Sequence, residues 1–129
     1  MRSRAALPLA MLAGFGLGAV AVQGVHAQRT GPGAYAIVDT TEISDPKTFK
    51  TLIPKAAAAI AAFGGKVVTQ TENITALDGV APLRFVIIGF ESVYKANDWY
   101  QSAAQAEINA IRTQSSKSRT FIVAGEGAQ

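Results

Sequence analysis

Asp39 and Arg84 are the two residues of this chain whose chemistry could be shared. Asp39 closes the apolar, β-branched run Tyr35-Ala36-Ile37-Val38, and Arg84 opens a second one, Phe85-Val86-Ile87-Ile88-Gly89-Phe90. If these runs are neighbouring antiparallel strands, the end of the first lies beside the start of the second, and the two charges are expected to meet at the sheet rim. An arginine beside a cavity can hold a carboxylate or enolate, and an aspartate whose pKa is raised by burial can serve as a general base. The plainer expectation for the same pair is a strand-end ion pair of little energetic weight. Tyr35, Arg84, Trp99 and Tyr100 are the ligand-binding candidates, although aromatic side chains more commonly fill cores and interfaces.

Missing residue types narrow the chemistry further. The chain has no cysteine, and its single histidine is His26, inside an N-terminal segment expected to be removed. Nucleophilic Ser-His-Asp or Cys-His mechanisms, a conventional zinc site and haem held by histidine or cysteine are therefore excluded, and neither a metal nor a cofactor is expected. No glycine-rich loop with lysine is present to cradle phosphate, and no carboxylates are spaced as in a calcium loop. Glu72, Asp78, Glu91 and Asp98 read as solvated loop and helix-end charges. Asn73-Ile74-Thr75 fits the glycosylation pattern, which matters only in a eukaryotic secretory pathway.

Arg2 and Arg4 precede an uncharged run rich in Ala, Gly and Leu, and Val25-His26-Ala27 offers small residues where a signal peptidase reads. Residues 1–27 are expected to be a cleavable export signal, and the protein to be periplasmic or secreted. Retention of this segment as a membrane anchor is the alternative, since about 18 apolar residues can span a bilayer. Pro8 and the glycines at 14, 16 and 18 argue against it. Cleavage takes two of the 12 basic residues, leaving 10 against 9 acidic ones. A nearly neutral mature chain gives no electrostatic reason to expect a nucleic-acid partner.

Residues 28–33 read as a flexible leader, residues 34–124 as one domain, and residues 125–129 as a tail. Ala34 to Thr40 is expected to be a strand. Asp45 can cap a helix whose first position is Pro46, and apolar residues from Phe49 to Phe63 recur at helical spacing up to Gly64-Gly65. Pro54 should kink or restart that helix. Lys66 to Thr71 and Arg84 to Phe90 form a second and a third strand. Ser92 can cap a second helix, Ser102 with Gln105 has capping-box spacing for a restart, and Arg119 to Ala124 is a fourth strand.

The order βαββαβ implies an α+β, ferredoxin-like fold: a four-stranded antiparallel sheet with two helices on one face. Both faces of the sheet carry apolar side chains. Phe85, Ile87, Phe121 and Val123 oppose Val86, Ile88, Phe90 and Ile122. Burial of each is worth about 1.5–3 kcal/mol, so a bare apolar face calls for a cover. The economical cover is a second copy, giving a homodimer of the dimeric α/β-barrel type, whose interior a small apolar ligand could share.

The run Tyr35-Ala36-Ile37-Val38-Asp39, Asp45-Pro46, the Ala-rich helix ending in Gly64-Gly65, Pro82-Leu83-Arg84, Phe90, Trp99-Tyr100-Gln101-Ser102 and Arg112 together resemble the domain-of-unknown-function 1330 family. The resemblance covers about residues 34–124 and implies the dimeric α/β-barrel form of the ferredoxin-like fold, with no established activity. Family members often carry a histidine just before the paired glycines; Phe63 stands there in this chain, so an imidazole-dependent function does not carry over. The RNA-recognition motif shares the βαββαβ order, but its glycine-aromatic spacing is lacking around Arg84-Phe85-Val86. The expected function is binding of a small, partly apolar molecule by an exported homodimer. A cofactor-independent enzyme, of monooxygenase or isomerase type, is the alternative, and a purely structural or interaction domain the further one.

Overall fold

Seven elements succeed one another: β1 (Ala34–Ile43), α1 (Pro46–Ala62), β2 (Lys66–Thr71), β3 (Arg84–Phe90), α2 (Val93–Tyr100), α3 (Ala103–Ser115) and β4 (Ser116–Ala124). The computed structural model describes residues 31–126; the segment expected to be an export signal, the first part of the expected leader and the end of the tail lie outside the described residues. The strands form one antiparallel sheet in the order β2-β3-β1-β4, the arrangement of the ferredoxin-like fold.

Local chemistry sets the helix ends. The Asp45 carboxylate accepts from the Thr48 amide at 3.2 Å and from its hydroxyl at 2.7 Å, while Pro46 occupies the first turn, where no amide is needed. At the other end, the Gly64 amide bonds to Ala61 and the Gly65 amide reaches back to the Ile60 carbonyl, the paired closure that needs a left-handed residue. Gly64 supplies it, with φ +75°. Gly65 is required for a different reason, since a Cβ there would press against both the Phe90 ring and Ile60.

Helix α1 runs through Pro54 as one element, so of the expected kink or restart the restart does not occur. Pro54 lies on the exposed side of the helix, and so does Lys50, whose carbonyl loses its amide partner and can be hydrated instead. The expected restart at Ser102 is present. Trp99 ends α2 with its carbonyl accepting from the Ser102 amide and hydroxyl, and the Ser102 oxygen caps Gln105 at 3.1 Å. The capping box is only half made, because the Gln105 side chain turns to Asn109 instead. The second helical stretch is thus two helices, α2 and α3.

Two strands are longer than their apolar runs. β1 continues to Ile43 across an irregularity between Thr40 and Glu42, because β4 begins immediately after α3, at Ser116 rather than Arg119. Ser115 and Ser116 turn their hydroxyls back onto the Ile111 and Arg112 carbonyls, both at 2.6 Å, which closes α3 without a loop.

Pairing register decides which side chains share a face. Ala34, Ala36, Val38 and Thr40 of β1 lie beneath the helices with Val86, Ile88 and Phe90, and with Phe49, Leu52, Ile60, Ala96, Trp99 and Ile108 most of them form the core. Tyr35, Ile37, Phe85, Ile87, Phe121 and Val123 occupy the face without helices. Phe121 and Val123 are 41% and 43% exposed there, so the apolar character of both faces is as the sequence indicated.

The Asp45 cap provides a pH test. Hydrogen bonds from the Thr48 hydroxyl, then from the Thr48 amide, hold its carboxyl below the ordinary value. The ionised form is therefore the one that stabilises the fold, fully above the unfolded pKa of about 3.9 and less as pH falls through the folded value. Asp45→Ala is expected to melt a few degrees below the wild type at pH 7, with the difference vanishing in acid; thermal melts followed by circular dichroism across pH measure it.

Candidate functional site

The Leu83 amide donates to the Thr40 carbonyl at 2.8 Å, which pins the entry to β3 against β1 and sets Arg84 opposite Thr40, on the helix side of the sheet. A cavity of about 190 Å³ opens there between the sheet and the three helices. Its walls are mainly apolar, from Val38, Val86 and Ile88 below to Phe49, Leu52 and Ile60 above. Residues with polar groups contribute from five places: Thr40 of β1, Gln70 of β2, Arg84 of β3, Trp99 at the end of α2, and Gln105 with Arg112 from α3. An outer cleft of about 350 Å³, lined by Phe49, Ile53, Glu72 and Leu83 among others, meets the cavity at Arg84.

Arg84 stands at this junction with its side chain 12% exposed. Its guanidinium lies 5.9 Å from the centre of the Phe49 ring and 3.7 Å from the Glu72 carboxylate, which is itself mostly exposed. Arg112 approaches from α3 and donates to the Asn109 side-chain oxygen at 2.8 Å. Burial is the main cause lowering its pKa; the Tyr100 hydroxyl opposes this and the positive Arg84 adds to it. Among the described residues no carboxylate lies within ion-pairing distance of Arg112.

Asn109 fixes the orientation of its neighbours. Its one oxygen accepts from both Arg112 and the Gln105 amide nitrogen, at 2.8 and 3.1 Å. The other end of the Gln105 amide is thereby defined as the oxygen, and this buried atom has no partner. The Trp99 indole nitrogen is likewise buried without an acceptor. Trp99 itself is fully packed, against Phe90 at 5.3 Å and edge-on to Tyr100 at 5.8 Å.

Of the residues singled out in sequence, the structure brings Arg84 and Trp99 to the cavity and sets the others elsewhere. Asp39 and Arg84 do not meet. Asp39 pairs in register with Phe85, one position beyond Arg84, and a one-residue offset sends it to the opposite face of the sheet. There its carboxylate binds Arg119 of β4 at 2.5 Å, while its second oxygen is buried and unpartnered. Tyr35 shares that face, beside Gly89 and Val123. Tyr100 points outward and is absent from the cavity wall. The chamber expected between two copies is thus not where this cavity lies: it is on the helix-covered side of a single chain.

Sequence reasoning named Gln105 only as part of a cap and Arg112 only within the family resemblance, neither as a site residue. A signal for them exists, since Gln105, Ile108 and Arg112 fall at i, i+3 and i+7 on one stripe of α3 whose middle member is fully buried. Polar side chains on an apolar stripe are worth inspecting wherever they occur.

A protein of unknown function from Rhodopseudomonas palustris has a similar structure, with a TM-score of 0.60 and 17% identity over 80% of this chain and 92% of that one. SnoaB, a cofactor-independent oxygenase from Streptomyces nogalater, aligns with a TM-score of 0.53 and 14% identity, covering 72% of this chain and 92% of SnoaB. Likeness at such identities concerns the fold. No curated protein matches the sequence significantly. The family model for the domain of unknown function DUF1330 matches residues 33–126, the whole of the sheet and its helices, and the chain belongs to that family.

Proposed function

We propose that the chain acts as an exported, homodimeric binding domain that takes a small, partly apolar molecule into the cavity between its sheet and its helices. The observation that carries this reading is a mainly apolar cavity of about 190 Å³ between the sheet and the helices, with the side chains of Arg84 and Arg112 on its wall. An apolar cavity of roughly 150 Å³ accommodates benzene, so the space here suits about one substituted ring. Binding is favoured over catalysis because none of the residues lining the cavity carries a carboxylate, imidazole, thiol or amine that could move a proton at neutral pH. The enzymatic reading, by analogy with the fold of SnoaB, keeps one supporting feature: Arg84 could stabilise an enolate.

Trp99 is the only tryptophan, so its fluorescence reports on the cavity directly. Titration with single-ring compounds is expected to change its emission saturably. Ala56→Phe, which adds a ring to the cavity lining, should abolish the change while circular dichroism stays that of the wild type. An unresponsive wild type, or an equally responsive filled variant, would count against the reading.

A further inference from the structure

We infer that the molecule taken up is a ring-sized monocarboxylate, and that Arg84 and Arg112 hold its carboxylate between them. This rests on the binding reading above and adds the chemical class of the ligand.

Two guanidinium groups reach one small, mainly apolar cavity from different elements, the start of β3 and the body of α3. Charged groups in such surroundings are costly unless they are paired. Among the described residues Glu72 is the one carboxylate within ion-pairing distance of either of them, and at 3.7 Å from Arg84 it is beyond the roughly 2.7–2.9 Å of a charge-assisted hydrogen bond. Arg112 spends one nitrogen on the neutral Asn109 oxygen. Two positive groups and a single negative one leave one positive charge at the cavity, which a monoanion balances and a dianion overshoots. Guanidinium forks match the planar, two-oxygen geometry of a carboxylate.

Hydrogen-bonding capacity points the same way. The Thr40 hydroxyl and the Gln70 side chain also line the wall, and each can donate as well as accept. The two guanidinium groups only donate, so donors outnumber acceptors and the complementary ligand is rich in acceptor oxygens. Repulsion between the two arginines, one of the causes lowering the Arg112 pKa, is relieved when an anion lies between them.

The test compares benzoate with its neutral isostere benzamide, each titrated against the full-length protein by Trp99 fluorescence. Charged hydrogen bonds of ordinary strength predict that benzoate binds at least about tenfold more tightly. Arg84→Met and Arg112→Met should each erase that preference, weakening benzoate binding at least about tenfold more than benzamide binding. Benzamide binding as well as or better than benzoate would overturn the carboxylate assignment and leave the cavity reading standing. Preference for benzoate that survives both substitutions would remove the arginines from the site. Failure of both compounds to bind the wild type would end both readings, and the wild-type comparison holds even if a variant does not fold.

Discussion

Trp99→Ala is expected to lower folding stability by about 3–5 kcal/mol, the range for removing a large aromatic side chain from a core. Trp99 is 2% exposed and sits where three things converge: the Phe90 ring, the end of α2 and the wall of the cavity. Its carbonyl receives both bonds from Ser102, so its position also sets the corner between α2 and α3. A domain of this size has about 5–15 kcal/mol of stability in total, so the loss should be plain in urea denaturation followed by far-ultraviolet circular dichroism. Trp99→Phe separates packing from polarity. It keeps a ring against Phe90 and deletes a buried N–H that has no acceptor, so its cost should be well under half that of alanine. A loss below about 1 kcal/mol for the alanine variant would mean that the side chain is not part of the core.

Much of this framework was legible in the residues themselves. Strands alternate or run apolar, Asp45-Pro46 and Ser92 mark helix starts, and Gly64-Gly65 marks a stop, because each of those signals is a local rule about amides, hydroxyls and φ. The misreadings share a different cause. Pro54 breaks a helix only if the carbonyl it orphans cannot reach water, which depends on which way the helix faces. Ser115 and Ser116 look like a loop until their hydroxyls are seen to satisfy the preceding turn.

The site was harder to read than the fold, for reasons of register and long range. Whether Asp39 meets Arg84 hangs on a single-residue offset between β1 and β3, and composition carries no information about it. Arg112 and Gln105 reach the cavity only because α3 is laid over the sheet by the Ser102 corner. The sequence does contain the polar interruptions on that helix stripe. Their convergence with Arg84, which lies well before them in the chain on another element, is a property of the packed structure alone.

Ile37→Asp is expected to convert a homodimer into a folded monomer, and this test addresses the sheet face on which the dimer proposal stands. Ile37 lies in the middle of β1, directly opposite Ile87 on one side and Phe121 on the other, so the three form an apolar row across the uncovered face. In the single chain these side chains are half-buried or exposed, and a carboxylate there can stay hydrated. Against a second sheet it would be dehydrated without a partner, at about 3–5 kcal/mol, and two-fold symmetry imposes that cost twice. Association should weaken on the order of 10⁴-fold or more. Light scattering coupled to size exclusion at micromolar concentration is expected to give twice the chain mass for the wild type and the single mass for the variant. A monomeric wild type, or a variant that still dimerises, would show that something else covers this face. Because the cavity is on the opposite side of the sheet, the monomeric variant should keep the Trp99 fluorescence response, and that result would establish that each chain carries a complete site.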